Sequence, residues 1–244
     1  MAESNCYLSV VVPMHNEEGN VAPLLEELWE VLGAIGRPFE VLVVDDGSTD
    51  GTWNALESMH ERLGGEGVLR SIQLAQNRGQ STAFWCGLSR ALGEVVIMMD
   101  GDMQNDPHDI GNLLEELDKG ADVCLTWRAD RQDTGFKKFQ SKIGNGFRNW
   151  LLKSEIRDTG SQLRAFRREC LDDLPHFNGM HRFMGNLFIA LGWKVVEVPT
   201  HHRARQAGVT KYGLGNRALR GLRDVLGLRW LISRAIRYEV AREE

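Results

Sequence analysis

Asp100, Asp102, Gln104 and Asp106 fall within seven positions and directly follow the apolar run Val95-Val96-Ile97-Met98-Met99. An unbroken apolar run of this kind reads as a strand buried on both faces, so the carboxylates stand where that strand leaves its sheet. Alternate strand residues share a face, and Asp100 and Asp102 would repel each other unless the chain turns or a cation lies between them. Carboxylate and amide oxygens are hard ligands suited to Mg²⁺ or Mn²⁺, ions that commonly bridge a carboxylate to nucleotide phosphates. The plainer alternative is a solvated acidic loop in which Asp106-Pro107 opens the next helix. An isolated D-x-D does not separate the two.

The elements that must position this cluster can be read on either side of it. Leu8 to Val12 is a short β-rich run that Pro13 is expected to stop. The polar stretch Pro13-Met14-His15-Asn16-Glu17 leads to a helix with Val21, Leu24, Leu25, Leu28 and Leu32 on one face. A second strand, Phe39 to Val44, ends in Asp45-Asp46-Gly47-Ser48-Thr49-Asp50-Gly51-Thr52, where glycines permit a tight turn and hydroxyls cap a helix. A third, around Val68 to Leu74, meets Asn77-Arg78-Gly79-Gln80 and a helix through about Ala91. After the acidic cluster come a helix from about His108 to Leu117 and a strand, Ala121 to Thr126, ending at Trp127-Arg128. This alternation predicts a mainly parallel sheet with helices on both faces, which binds ligands outside the carboxyl ends of its strands. Pro13 to Glu17, Asp45-Asp46, Asn77 to Gln80, Asp100 to Gln104 and Arg128 all gather at those ends, and that coincidence outweighs the D-x-D alone.

Beyond Arg128 the pattern loosens. Asp133 to Lys153 reads as a basic amphipathic helical connection, and Asp158 to Phe166 as a loop entering a strand. A helix near Arg182 to Leu191 precedes a strand at Lys194 to Val198 that Pro199 is expected to stop. The segment His201 to Tyr212 then carries Arg203, Arg205 and Lys211 around Gly208, cations able to clamp phosphates or simply to line a solvated loop. From Asn216 to Arg237 a helix sets Leu219, Leu222, Leu226 and Trp230 in one stripe among arginines, with Leu228 and Leu231 off it. Such a helix suits an anionic membrane surface, and equally a packing seam of a homo-oligomer.

The 244 residues can bury a sizeable core, and 42% hydrophobic with 26% charged residues argues against disorder. A net charge of -5 gives no reason to expect nucleic acid as a partner. Cys6, Cys86, Cys124 and Cys170 form no C-x-x-C pair and read as buried thiols, not a zinc site or disulfide frame. With no signal-like start and no run near the roughly 18 apolar residues of a membrane span, a soluble or peripheral protein is expected.

Taken in order and spacing, Val12 to Glu17, Asp45 to Thr52, Asn77 to Gln80, Asp100 to Gln104 and Arg205 to Tyr212 resemble the family 2 glycosyltransferases of GT-A fold. Within them the last motif is similar to the polyprenyl-phosphate sugar transferases, such as dolichyl-phosphate mannose synthase. The resemblance implies one Rossmann-like α/β catalytic domain over 1–212 and a basic amphipathic helical segment over 213–244. It implies a nucleotide-sugar donor, UDP favoured over GDP, held by Pro13, His15, Glu17, Asp45, Asp46, Asn77 and Gly79. It places Mg²⁺ or Mn²⁺ on Asp102 and Gln104, Asp100 and Arg128 in the catalytic centre, phosphates on Arg203, Arg205 and Lys211, and the acceptor near Gln162 and Arg164. The acceptor it implies is a polyprenyl phosphate at the cytoplasmic face of a membrane. Being already anionic, that phosphate would attack the anomeric carbon with inversion and without a general base. His15 where tyrosine is usual, Gly101 where alanine is common, and Asp158 to Gln162 depart from the pattern. A dinucleotide dehydrogenase lacks its G-x-G-x-x-G after the first strand, and a pyrophosphorylase its glycine-rich basic start. A transferase with a saccharide or alcohol acceptor, or a non-catalytic lipid- or nucleotide-binding scaffold, are the alternatives.

Overall fold

The apolar runs of the sequence come together as one seven-stranded sheet in the computed structural model, which describes residues 6–63, 67–129, 146, 148–203 and 215–234. The strands are β1 (Leu8–Met14), β2 (Phe39–Asp45), β3 (Gly67–Gln73), β4 (Val95–Met98), β5 (Val123–Arg128), β6 (Arg164–Arg167) and β7 (Val195–Thr200), in the order β3-β2-β1-β4-β6-β5-β7. All pairings are parallel except those of β6, which runs antiparallel to both β4 and β5. β1 and β2 are buried along their whole length, as continuous apolar runs in a helix-covered sheet should be. Helix α1 (Glu18–Ile35) lays Val21, Leu24, Leu25, Leu28 and Leu32 on the sheet at the predicted spacing, and Gly36 ends it in the left-handed conformation (φ 69°). Helices α2 (Thr52–Arg62), α3 (Gln80–Leu88), α4 (Ile110–Asp118) and α5 (Met184–Leu191) complete the layers.

Two prolines expected to stop strands do not. Val11 O accepts from Met99 N at 3.2 Å, so residues 11 and 13 of β1 face β4, but β4 pairs only as far as Val11. The donor that Pro13 lacks therefore falls beyond the end of β4, while β2 holds the strand through Met14. In β7, Lys194 O accepts from Val123 N, which turns Pro199 to the outer edge of a strand that among the described residues pairs only with β5. The thiols also differ from expectation: Cys124 and Cys170 are buried, Cys6 and Cys86 only partly so.

The chain divides into two compact units, Met1–Asp133 with Ile156–Val209, and Thr134–Glu155 with Thr210–Glu244. The sheet belongs to the first. In the second, the described part of the expected Asp133 to Lys153 connection is helical at 146 and 148–152. Helix α6 (Gly215–Ser233) is also there, with side chains described from Gly221. Its Val225 and Leu228 are buried, whereas the described members of the stripe seen in the sequence, Leu222, Leu226 and Trp230, are 43%, 51% and 62% exposed, and the side chain of Leu219 lies outside the described residues. Among the described residues no helix is long and apolar enough to cross a membrane.

Candidate active site

Three loops at the carboxyl ends of β1, β2 and β3 are joined into one cradle. Asn16, in the left-handed conformation (φ 56°), donates its N–H to Ser48 Oγ at 2.9 Å and accepts from Thr49 N at 2.8 Å. Glu17 N donates to Thr52 Oγ1 at 2.9 Å. Asp45, fully buried, accepts from Ser48 N and Gln73 Nε2, both at 2.9 Å. Asp46 accepts from Arg78 N at 2.7 Å and Gly79 N at 2.8 Å, so its carboxylate shapes the Asn77 to Gln80 loop. Gly47 (φ 64°) lets these loops touch, since a Cβ there would stand 2.5 Å from the Gln76 carbonyl carbon. His15 Nδ1 is buried in this cradle without a hydrogen-bond partner, a polar atom whose desolvation the described residues leave uncompensated.

The acidic cluster lies beside the cradle. β4 ends at Met98, and the chain then bends through Gly101 to Met103, with Met103 at φ 62°. Gln80 Nε2 donates to Asp100 at 2.6 Å, tying α3 to the turn, and Asp102 accepts from Gln104 N at 3.2 Å. Gly101 packs against β1: a Cβ there would lie 2.8 Å from Met14 Cγ and 2.9 Å from Pro13 O, which accounts for glycine at this position.

Next to Asp100 opens a cavity of about 380 Å³, lined by Gln80, Thr159, Gly160, Gln162, His181 and Arg182 besides Asp100 itself. Arg128 does not point freely into it. Its Nε and Nη2 donate to Asp158 at 2.7 and 3.0 Å, and Gly160 N donates to the same carboxylate at 2.8 Å. Burial would raise the Asp158 carboxyl, but these bonds and the Arg128 charge together hold it below the usual range. Beneath the cavity Arg164 is buried, donating to His181 O at 3.0 Å, Ser161 O at 2.8 Å and Gln162 Oε1 at 3.0 Å. Burial draws its guanidinium down to about 10 against the opposing charges of Asp100 and Asp158.

The cations expected on phosphates divide. Arg205 and Lys211 lie outside the described residues. Arg203 donates to Glu27 at 2.7 and 2.8 Å and reaches Asp106 at 2.8 Å. Glu27, Asp106 and His108 form a grouping of metal-ligand type with ligand atoms within 4.8 Å, and Arg203 brings positive charge to it. The sequence reading did not single out this group, nor the buried Ser81–His181 pair at 2.6 Å, because each joins residues far apart in the chain.

A mainly parallel sheet with a polar cradle over β1 to β3 and an acidic turn after β4 is the arrangement of the GT-A fold. The chain belongs to glycosyl transferase family 2, whose family profile matches residues 9–183. It is 33% identical over 208 residues to the undecaprenyl-phosphate 4-deoxy-4-formamido-L-arabinose transferase of Edwardsiella ictaluri (strain 93-146), covering 85% of this chain and 63% of that protein. With the transferase of the same name from Enterobacter sp. (strain 638) it shares 34% over 205 residues, 84% of this chain and 62% of the relative. The chain thus spans a little under two thirds of the length of these relatives. Among solved structures, Mycobacterium tuberculosis glucosyl-3-phosphoglycerate synthase with Mn²⁺, UDP-glucose and phosphoglyceric acid superposes at a TM-score of 0.69. That match has 20% identity and covers 96% of this chain and 81% of the other. S. aureus TarS 1-349 superposes at 0.64 with 19% identity, covering 96% and 67%.

Proposed function

We propose that this chain transfers a sugar from a nucleoside diphosphate, UDP in preference to GDP, to a polyprenyl phosphate with inversion at the anomeric carbon. The observation that carries this reading is the similarity, over 84–85% of the chain, to transferases whose name gives undecaprenyl phosphate as acceptor. In it Pro13, His15, Glu17, Asp45, Asp46, Asn77 and Gly79 surround the nucleoside, and the unpartnered His15 Nδ1 supports a polar group of the base at that point.

Asp102 and Gln104 present hard oxygens on one short turn, a donor set that fits Mg²⁺ or Mn²⁺. Such an ion, when bound, neutralises the leaving diphosphate. An acceptor phosphate oxygen forms the new bond to the anomeric carbon while the bond to the nucleoside diphosphate breaks, its electron pair leaving with the diphosphate. No proton moves, which agrees with a cavity whose imidazole has its Nδ1 engaged by Ser81. Arg205 and Lys211 remain assigned to phosphate, Gln162 and Arg164 to the acceptor side, and Asp100 and Arg128 to the reaction centre.

The exposed Leu222, Leu226 and Trp230 with Arg223 and Arg229 on α6, and Arg234 just after it, support attachment to the anionic cytoplasmic face of a membrane. The deciding experiment compares sugar transfer to a short polyprenyl phosphate and to the matching polyprenol. Transfer to the phosphate alone is expected; equal transfer to the alcohol would replace this reading with an alcohol- or saccharide-acceptor enzyme.

A further inference from the structure

His181 lies in a short helical turn, Met180–Arg182, and its ring is held by a residue 100 positions away. Ser81 Oγ stands 2.6 Å from His181 Nδ1 and also accepts from Gly179 N at 2.8 Å. Both side chains are buried, at 4% and 5% exposure. A hydroxyl has one hydrogen to give, and Nδ1 is the acceptor within reach among the described residues. Any other assignment would bury that hydrogen unbonded at a cost of roughly 1–3 kcal/mol. Nδ1 therefore accepts, and the ring proton sits on Nε2.

The imidazole is also neutral. Burial, with the nearby Arg182 and Arg164 charges, pushes it down to about 3. Its Nε2 has no partner among the described residues and is not enclosed, and His181 is one of the residues that line the cavity.

The lining of that cavity is chemically mixed. Gln80 and Gln162 offer amides, Thr159 a hydroxyl, Asp100 a carboxylate and Arg182 a guanidinium. A phosphate site would concentrate cations and exclude Asp100. Paired donors and acceptors of near-balanced charge suit a polyhydroxylated, uncharged ring. At about 380 Å³ the space is near the small end of ligand pockets, which run roughly 300–1,000 Å³.

We infer that His181 Nε2–H donates a hydrogen bond to a hydroxyl of the transferred sugar, so that the Ser81–His181 pair helps to set which sugars this site accepts. This rests on the nucleotide-sugar reading above. It makes His181 a specificity-determining residue that discriminates the sugar, leaving the nucleoside to the His15 cradle.

The test separates the two ring nitrogens. Asparagine mimics the Nδ1 side of histidine and glutamine the Nε2 side. In Mn²⁺, Kd is measured by calorimetry for UDP and for whichever of UDP-glucose, UDP-galactose, UDP-N-acetylglucosamine and UDP-xylose the unaltered chain binds tightest. His181→Asn should raise the ratio of sugar-nucleotide Kd to UDP Kd about tenfold, the worth of one buried hydrogen bond. His181→Gln should raise it less than about threefold, with UDP affinity within about twofold in both. The reverse ranking would reduce His181 to a scaffold for Ser81, and an unchanged ratio in both variants would equally overturn the inference. Should either variant lose UDP binding through misfolding, monodeoxy analogues of the same sugar nucleotide are tested on the unaltered chain. One position must cost about tenfold, and a series flat within twofold rejects the proposal. Absence of binding by the unaltered chain to any UDP- or GDP-sugar would instead remove the functional reading itself.

Discussion

Arg203 closes a bidentate ion pair on Glu27, Nη1 to Oε2 at 2.8 Å and Nη2 to Oε1 at 2.7 Å, fastening the segment after β7 to α1. The same guanidinium reaches Asp106, and Arg203 N donates to Gln104 O at 2.9 Å. The stretch that opens the basic motif is thereby fixed to the turn bearing Asp102 and Gln104. The hydrogen bonds to Glu27 are the main cause that raises the Arg203 guanidinium above its usual range.

Arg203→Ala should cost roughly 1–2 kcal/mol, between the values for exposed and buried pairs, since Arg203 and Glu27 side chains are 30% and 18% exposed. Urea unfolding of Arg203→Ala, Glu27→Gln and the double variant gives the coupling, expected near about 1 kcal/mol. A coupling near zero, together with a large loss of UDP affinity in Arg203→Ala, would make Arg203 the phosphate ligand the sequence suggested.

Gly101→Ala tests the packing of the acidic turn on β1. The added methyl must displace Met14, itself 2% exposed, or the Pro13 carbonyl, and overpacking of this kind costs roughly 1–3 kcal/mol. Denaturant unfolding should show that loss, accompanied by weaker Mn²⁺-dependent UDP binding. A variant as stable as the parent would mean that Met14 yields freely.

The sheet and the acidic turn were legible because both are local: apolar runs, polar strand ends and the D-x-D occupy short stretches of sequence. The prolines misled because whether Pro13 or Pro199 breaks a strand depends on which edge faces a neighbour, and strand order is not written locally. Arg128, Arg203 and Ser81 show the same limit. Their types are plain in the sequence, but their partners Asp158, Glu27 and His181 lie 30, 176 and 100 positions away.

Asp158→Asn removes the counter-charge of Arg128 and should lower stability at neutral pH by roughly 1–3 kcal/mol, the penalty of an unpaired, largely buried group. Because the Asp158 carboxyl is depressed in the folded chain, its contribution is present above the unfolded value near 4 and fades as pH falls below it. The deficit of Asp158→Asn should therefore shrink toward pH 3. A deficit constant from pH 7 to 3 would show that the Arg128–Asp158 charge pair contributes nothing net.

His181 makes an acid prediction in a separate window. Its folded value of about 3 lies below the ordinary 6.5, so between these limits the unfolded chain takes up a proton that the folded chain refuses. The sign follows directly: stability is full above about pH 6.5 and falls as pH drops, by up to about 1.4 kcal/mol per unit for one such group. Asp158 adds its own loss only below about pH 4, which leaves roughly pH 4.5–6.5 as the diagnostic range. Urea unfolding across that range should show the parent losing stability more steeply than His181→Gln as pH falls, so that the difference between the two slopes with pH. Parallel curves would mean that the imidazole titrates normally in the folded chain. Burial and the Arg182 and Arg164 charges would then not hold it neutral.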